Sequence, residues 1–153
     1  KYQVSNRSMG SKGFTIVEII SALVIVGILS SVAISKMSSN DLYDVVKELD
    51  ILKTHLRYSQ IRAMSHNESW GIKINNGGSY TLQKNGSTST LNLPDENSAT
   101  RSFESSVSAT PLDQVVTFDN LGSPGNADIV ITLKKQGKNP RTLTITQKTG
   151  FIY

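Results

Sequence analysis

The chain predicts an α+β fold: a long N-terminal helix, membrane-spanning in its first half and amphipathic in its second, packed on an antiparallel β-sheet domain. Three observations predict it. The run from Phe14 to Ile34 is apolar except for Glu18 and a few small hydroxyl residues. Apolar residues then recur at steps of three and four as far as about His66. After Asn67 the period changes to two, and turn residues punctuate it.

The apolar run comes first. Twenty-one helical residues span about 30 Å, the thickness of a bilayer core. A cleaved secretory signal has a shorter apolar core and a small-residue exit site, whereas this run passes without proline into a further helical pattern. Residues 1–13, KYQVSNRSMGSKG, are polar and carry Lys1, Arg7 and Lys12. Positive charge before an apolar helix holds that end in the cytoplasm. Glu18 stands out, because a carboxylate at the bilayer centre costs on the order of 3 kcal/mol. Near the start of the run it can instead reach the headgroups.

The amphipathic half covers residues 38–67. Leu42, Val45, Leu49, Leu52 and Leu56 form one stripe, flanked by Val46 and Lys53 and extended by Ala63 and Met64. Asp44, Lys47, Glu48, Asp50 and Arg57 are expected on the solvated face, with Asp44–Lys47 and Asp50–Lys53 at helix-supporting spacing. At the join, Ser35 to Asp41, Asp41 followed by Asp44 resembles an N-cap signal. The chain can bend there or run on as solvated helix.

Residues 68–153 read as antiparallel strands. Trp70, Ile72 and Ile74 alternate, Asn75 to Gly78 (NNGG) turns the chain, and Tyr80 and Leu82 alternate on the return. Asn85-Gly86 makes a second turn, with Leu91 and Leu93 continuing the pattern beyond it. Pro94 to Pro111 reads as loop with one strand around Phe103. Gln114 to Asp119 and Ala127 to Leu133 are strands, separated by NLGSPGN. KQGKNP turns into a last strand with Leu143 and Ile145 on one face, and Lys148 to Gly150 turns into a final FIY. Such a sheet has an apolar face to cover, and the helix has a stripe to bury, so each completes the other.

The chain has 153 residues, enough for one modest domain beyond the apolar run, and no cysteine, so disulfides and thiolate metal sites are excluded. The formal charge is +4, but three of the 16 basic residues precede Gly13, which leaves 13 against 12 acidic residues, or +1, from Phe14 onward. Residues 85–128 hold six acidic residues and only Arg101 as a base, a balance of −5; residues 129–153 hold Lys134, Lys135, Lys138, Arg141 and Lys148 and no acid, a balance of +5. That asymmetry suits subunits orienting against each other, or a polyanion such as DNA meeting the basic hairpin. An ordinary solvated hairpin edge, whose lysines keep it from pairing, also accounts for it.

GFTIVEII, with Gly13 before Phe14, then Thr15 and Glu18 and an uninterrupted apolar helix, resembles the N-terminal signal of type IV pilins and of the pseudopilins of type II secretion. The resemblance covers about 25 residues. It implies a leader at 1–13 (Met9 offers the short form MGSKG), cleavage between Gly13 and Phe14 by a prepilin peptidase, and N-methylation of Phe14. It also implies a role for Glu18 in assembly, where the new ammonium of Phe14 and this carboxylate pair within a chain or between neighbours. The region 14–37 becomes a transmembrane and filament-core helix, in which Ser21, Ala22 and Gly27 permit close helix approach. Implied partners are other pilin or pseudopilin subunits, the prepilin peptidase, an inner-membrane assembly platform and the lipid bilayer, with DNA or a secreted protein as further candidates. The implied location is the bacterial inner membrane, single-pass, with the β domain outside the cytoplasm, and then a pilus or periplasmic pseudopilus. TFDNLGSPG and KTGFIY are similar to minor pilins and pseudopilins of the FimT and GspH kind. The chain departs from many pilins in lacking a proline near Ser35 and a C-terminal disulfide loop.

Catalysis is not expected, and neither is a cofactor or metal. His55 and His66 lie about 16 Å apart along a helix, too far to share a metal, and GxGxxG, P-loop, HExxH and GxSxG motifs are absent from the sequence. Two other readings remain: a pilus-associated DNA-binding subunit using the C-terminal basic hairpin, and a solitary membrane-anchored binding module.

Overall fold

The computed structural model describes residues 13–37, 41–76, 78–104 and 106–153. The expected leader before Gly13, the side chains of the 35–42 join, and with them Leu42's place in the stripe, lie outside the described residues. The chain divides into two units, Lys1–Ser39 and Asn40–Tyr153.

The first unit is helix α1, Ile16–Met37. Thr15 starts it: the Glu18 N–H donates to Thr15 Oγ1 at 3.2 Å and to the Thr15 carbonyl at 3.1 Å. Thr15 and Glu18 thus hold the first and last positions of a T-x-x-E capping pattern. Ser21 and Ser30 return their hydroxyls to the carbonyls of Val17 and Val26, both at 2.7 Å, so neither hydroxyl needs water. No residue of the span Ile16–Ile34 is buried.

Among the described residues, the second unit consists of helix α2, Asp41–His66, and eight short strands. β1 (Trp70–Asn75) and β2 (Ser79–Lys84) form the expected hairpin, in register from Trp70↔Lys84 to Asn75↔Ser79. β6 (Val115–Phe118) pairs the other edge of β1. The free edge of β2 is shared by β3 (Ser87–Thr88) and β4 (Thr100–Ser102). A second sheet has the order β5–β7–β8, from Val107–Thr110, Ile129–Lys135 and Arg141–Ile145, and an Ile145↔Ile152 bridge extends its edge.

Both sheets turn their apolar faces to α2. Val45, Leu52, Leu56 and Ala63 of the helix share one buried cluster with Trp70, Ile72, Tyr80, Leu82, Val116 and Phe118 of the first sheet and Ile131, Leu133, Leu143 and Ile145 of the second. Leu143 and Ile145 point inward as expected, with Thr142 exposed and Thr144 half-buried.

Five expectations are corrected. Glu48, expected on the solvated face, is fully buried. Its position is three residues from Val45 and four from Leu52, so helical geometry puts it inside whatever its polarity. Met64 and Val46, placed with the apolar stripe, are largely exposed. Lys47 and Asp44 do not pair with each other: Lys47 reaches Glu104 and Asp44 reaches Lys135. In the sheet, Leu91 and Leu93 are not strand, although Leu93 is buried, and residues 94–111 contain two strands, β4 and β5, rather than one around Phe103. Those strands are three and four residues long and rich in Ser, Thr and Ala, so pairing with β2 and β7 makes them, not their own pattern.

Gln60 of α2 closes the far end. Its side-chain amide donates to the carbonyls of Gly122 (2.8 Å) and Gly150 (3.0 Å), joining the 119–125 loop to the last turn of the chain. Gly150 sits at φ +63°, and a Cβ there would lie 2.1 Å from the Gly122 oxygen. Gly137 has a similar φ, +73°, in open space. Gly150→Ala is therefore expected to lower the unfolding free energy by about 2–4 kcal/mol, combining backbone strain with a forced shift of packed backbone. Gly137→Ala should cost about 1 kcal/mol, the left-handed penalty alone. Urea unfolding of the two variants compares them directly, and equal losses would refute the close-contact account.

Candidate functional site

The sequence-predicted functional residues fall into two sets. Gly13, Phe14 and Glu18 lie at the start of α1, all exposed. Glu18 is in the first turn, where a carboxylate meets the positive end of the helix dipole, an effect of about 0.3–1 kcal/mol. Three residues into the helix it is only about 4–5 Å from the start. In a bilayer its carboxylate stays within reach of the headgroups, and the helix end offsets part of what remains. Gly27 has nothing within 4 Å of where a Cβ would stand, so no contact inside this unit requires glycine there.

The five basic residues do not form one patch. Lys134, opposite Ser108 of β5, and Arg141, opposite Leu133, flank the β7–β8 turn that holds Lys138. The turn is closed by the Lys138 N–H donating to the Lys135 carbonyl at 3.1 Å. Lys135 Nζ binds Asp44 of α2 at 2.8 Å and is largely hidden. Lys148 belongs to the other end of the sheet: about 14 Å of strand separates Arg141 from Ile145, and Lys148 lies beyond it, its N–H on the Gly125 carbonyl.

A polar cluster that sequence patterning missed joins α2 to β2 and β4. The register sets Tyr80 opposite Arg101, placing both side chains on the face toward α2. Arg101 grips the Glu48 carboxylate with both terminal nitrogens and forms an ion pair with Glu96, its Nε 2.7 Å from Oε1. The Glu48 hydrogen bonds raise the guanidinium pKa further above its already high value. His55, also buried, has Nε2 3.0 Å from the Pro94 carbonyl and Nδ1 2.7 Å from Tyr80 Oη. A carbonyl only accepts, so Nε2 carries the proton and Nδ1 accepts the tyrosine O–H. Burial lowers the His55 pKa and raises that of Tyr80, which favours this neutral arrangement. The ring centres of Tyr80 and Phe103 lie 5.1 Å apart. A sequence signal did exist for part of this: Arg101 is the sole cation in an acidic stretch of 44 residues, 85–128, and Glu48, His55 and Ser59 all fall on the inner line of α2.

Outside this cluster lies a groove of about 530 Å³, walled by α2 from Tyr43 to His55 and by Pro94, Asp95 and Glu96. Tyr43 is exposed, Lys47 is engaged by Glu104, and Asp50 and Asp95 face solvent. Among the described residues no group of three or more His, Cys, Asp or Glu side chains is placed to hold a metal ion. His55 is occupied by Tyr80 and Pro94, and His66 by Arg62.

No family model and no curated protein matches the chain. Among solved structures, the type IV minor pilin FimU of Pseudomonas aeruginosa strain PAO1 matches over 74% of this chain and 90% of its own, with a TM-score of 0.54 and 16% identity. A second crystal form of the same protein matches over 70% and 89%, with a TM-score of 0.49 and 16% identity. The likeness identifies the fold as pilin-like, an apolar N-terminal helix in a chain whose strands and amphipathic helix form an α+β domain.

Two predictions follow from the cluster's geometry. Arg101→Met strands a buried carboxylate and is expected to cost about 3–5 kcal/mol in chemical unfolding, whereas Glu48→Met/Arg101→Met should cost far less, because no charge is left behind. A double variant as unstable as the single one would argue against the pair. For His55 the folded-state pKa lies below the unfolded value near 6.5. Above that value both states are neutral and stability is full. As pH falls below it the unfolded chain takes up the proton first, so stability declines until the folded-state pKa is passed. Thermal unfolding between pH 8 and 5 should show this decline, and His55→Gln should flatten it.

Proposed function

We propose that this chain is a structural subunit, of the minor kind, of a type IV pilus or type II secretion pseudopilus. It is inserted in the membrane through α1, cut between Gly13 and Phe14, and assembled by bundling of α1 helices. The observation that carries this reading is α1 itself. None of its Ile16–Ile34 span is buried, and it belongs to a chain with the fold of a minor pilin. Such a helix is stable in hydrocarbon or against other apolar helices, but not in water.

Two features give the start of α1 its role. Cleavage after Gly13 leaves the Phe14 ammonium four residues before Glu18. In the membrane Glu18 lies near the headgroups and costs little. Once α1 enters a bundle, an unpaired carboxylate becomes expensive, and the Phe14 ammonium of the same or a neighbouring subunit removes that cost. Such a pair also sets axial register. Gly27, which makes no contact within its own unit, admits a neighbouring helix at short range and accounts for retaining a residue that costs about 1 kcal/mol in a helix.

N-terminal sequencing of protein extracted from membranes containing an active prepilin peptidase is expected to begin at Phe14; an intact leader would instead indicate a solitary permanent anchor. Glu18→Ala and Glu18→Gln should both be cleaved and folded but fail to enter filaments. Gln keeps the hydrogen-bonding capacity of the cap and removes only the charge, so normal incorporation of Glu18→Gln would assign Glu18 to capping and refute the charge pairing.

A further inference from the structure

We propose that the groove beside α2 takes the β7–β8 turn of a second copy of this chain. The groove's chemistry selects a cation. Lys47 is neutralised by Glu104, and Glu96 shares Arg101 with Glu48, while Asp50 and Asp95 have no ion-pair partner among the described residues. Tyr43, 73% exposed, lies on the same wall. An open phenol ring and two carboxylates lining one groove suit the ammonium of lysine or the guanidinium of arginine.

The matching surface is on the chain itself. Residues 129–153 contain five cations and no acid, and Lys134, Lys138 and Arg141 gather at the β7–β8 turn with their residues exposed. The Lys135–Asp44 bond ties the base of that turn to its own α2, which reduces the ordering that a contact would cost. Groove and turn are different patches, so the contact is heterologous, the groove of one copy receiving the turn of the next. A few exposed ion pairs contribute little in free solution. The contact therefore rests on the membrane-anchored reading of α1, which confines copies to one layer and raises their effective concentration.

The absence of cysteine from the sequence permits a clean test with the full chain in membranes. Chains carrying Thr54→Cys in the groove and chains carrying Gln136→Cys in the turn, with different epitope tags, are co-expressed and treated with a short bis-maleimide. A mixed cross-linked dimer is expected. It should weaken several-fold between 0.1 and 1 M salt, as the Debye length falls from about 10 to about 3 Å. Asp50→Lys should suppress it, and adding Lys138→Glu should restore it. Gln147→Cys, at the opposite end of the sheet, should not replace Gln136→Cys. Absence of the mixed dimer, or a dimer indifferent to Asp50→Lys, overturns the proposal. Val24→Cys on α1 reports anchor clustering separately. If Val24→Cys cross-links and the groove pair does not, docking fails while helix bundling stands; if neither does, both fail. Retention of duplex DNA through Lys134, Lys138 and Arg141 without the cross-link would assign the turn to a polyanion and overturn the proposal as well.

Discussion

The buried carboxylate of Glu48 is the constraint around which the second unit is arranged. A charge removed from water has to be matched, and the match comes from Arg101, 53 residues away in sequence. That single requirement brings the 94–104 segment against α2, gives β4 its place on the edge of β2, and makes Pro94, Asp95 and Glu96 a wall of the neighbouring groove. Leucines in the same positions would give comparable burial without specifying which segment covers the helix. Ion pairing and hydrogen bonding add direction: the two guanidinium bonds to Glu48, the bond to Glu96 and the His55 bridge between Tyr80 and Pro94 are satisfied together in one placement of the strand.

The opposite end of α2 solves a related problem with neutral groups. The 119–125 loop and the 148–150 turn present backbone carbonyls that need partners, and Gln60 serves both from the helix. Glycine at 150 lets the two backbones approach closely enough for one amide to bridge them, and glycine at 122 leaves room for Met64 and Gln60 of the helix. The helix is thus fastened near its start by charges, Asp44 to Lys135 and Glu48 to Arg101, and near its end by an amide, with an apolar stripe between. In a domain this small the core is modest, and these polar fastenings decide how two separate sheets share one helix.

The two units answer opposite demands on apolar surface. The second unit buries an apolar core of its own, whereas α1 buries none of its residues between Ile16 and Ile34. Its start is capped by Thr15 and the Ser21 and Ser30 hydroxyls return to the backbone, while its apolar sides, including the space at Gly27, stay open. Such an element is stable in lipid or against other apolar helices rather than in water, and that incompleteness is the physical basis of the proposed assembly.

Local patterning determined α1, α2, the β1–β2 hairpin and the strands β6 to β8, because a continuous apolar run, a period of three to four and a period of two are properties of neighbours in the chain. That Gly13, Phe14 and Glu18 stand at the start of α1 was legible for the same reason. Tertiary structure alone decided the rest. The strands β4 and β5 exist because β2 and β7 offer them edges. Glu48 and Arg101 meet because sheet register and helix face bring them together, Lys135 leaves the basic set because Asp44 claims it, and Lys148 lies at the wrong end of a strand. Each of these depends on residues brought together from tens of positions apart, and no period or spacing within the chain encodes such a meeting.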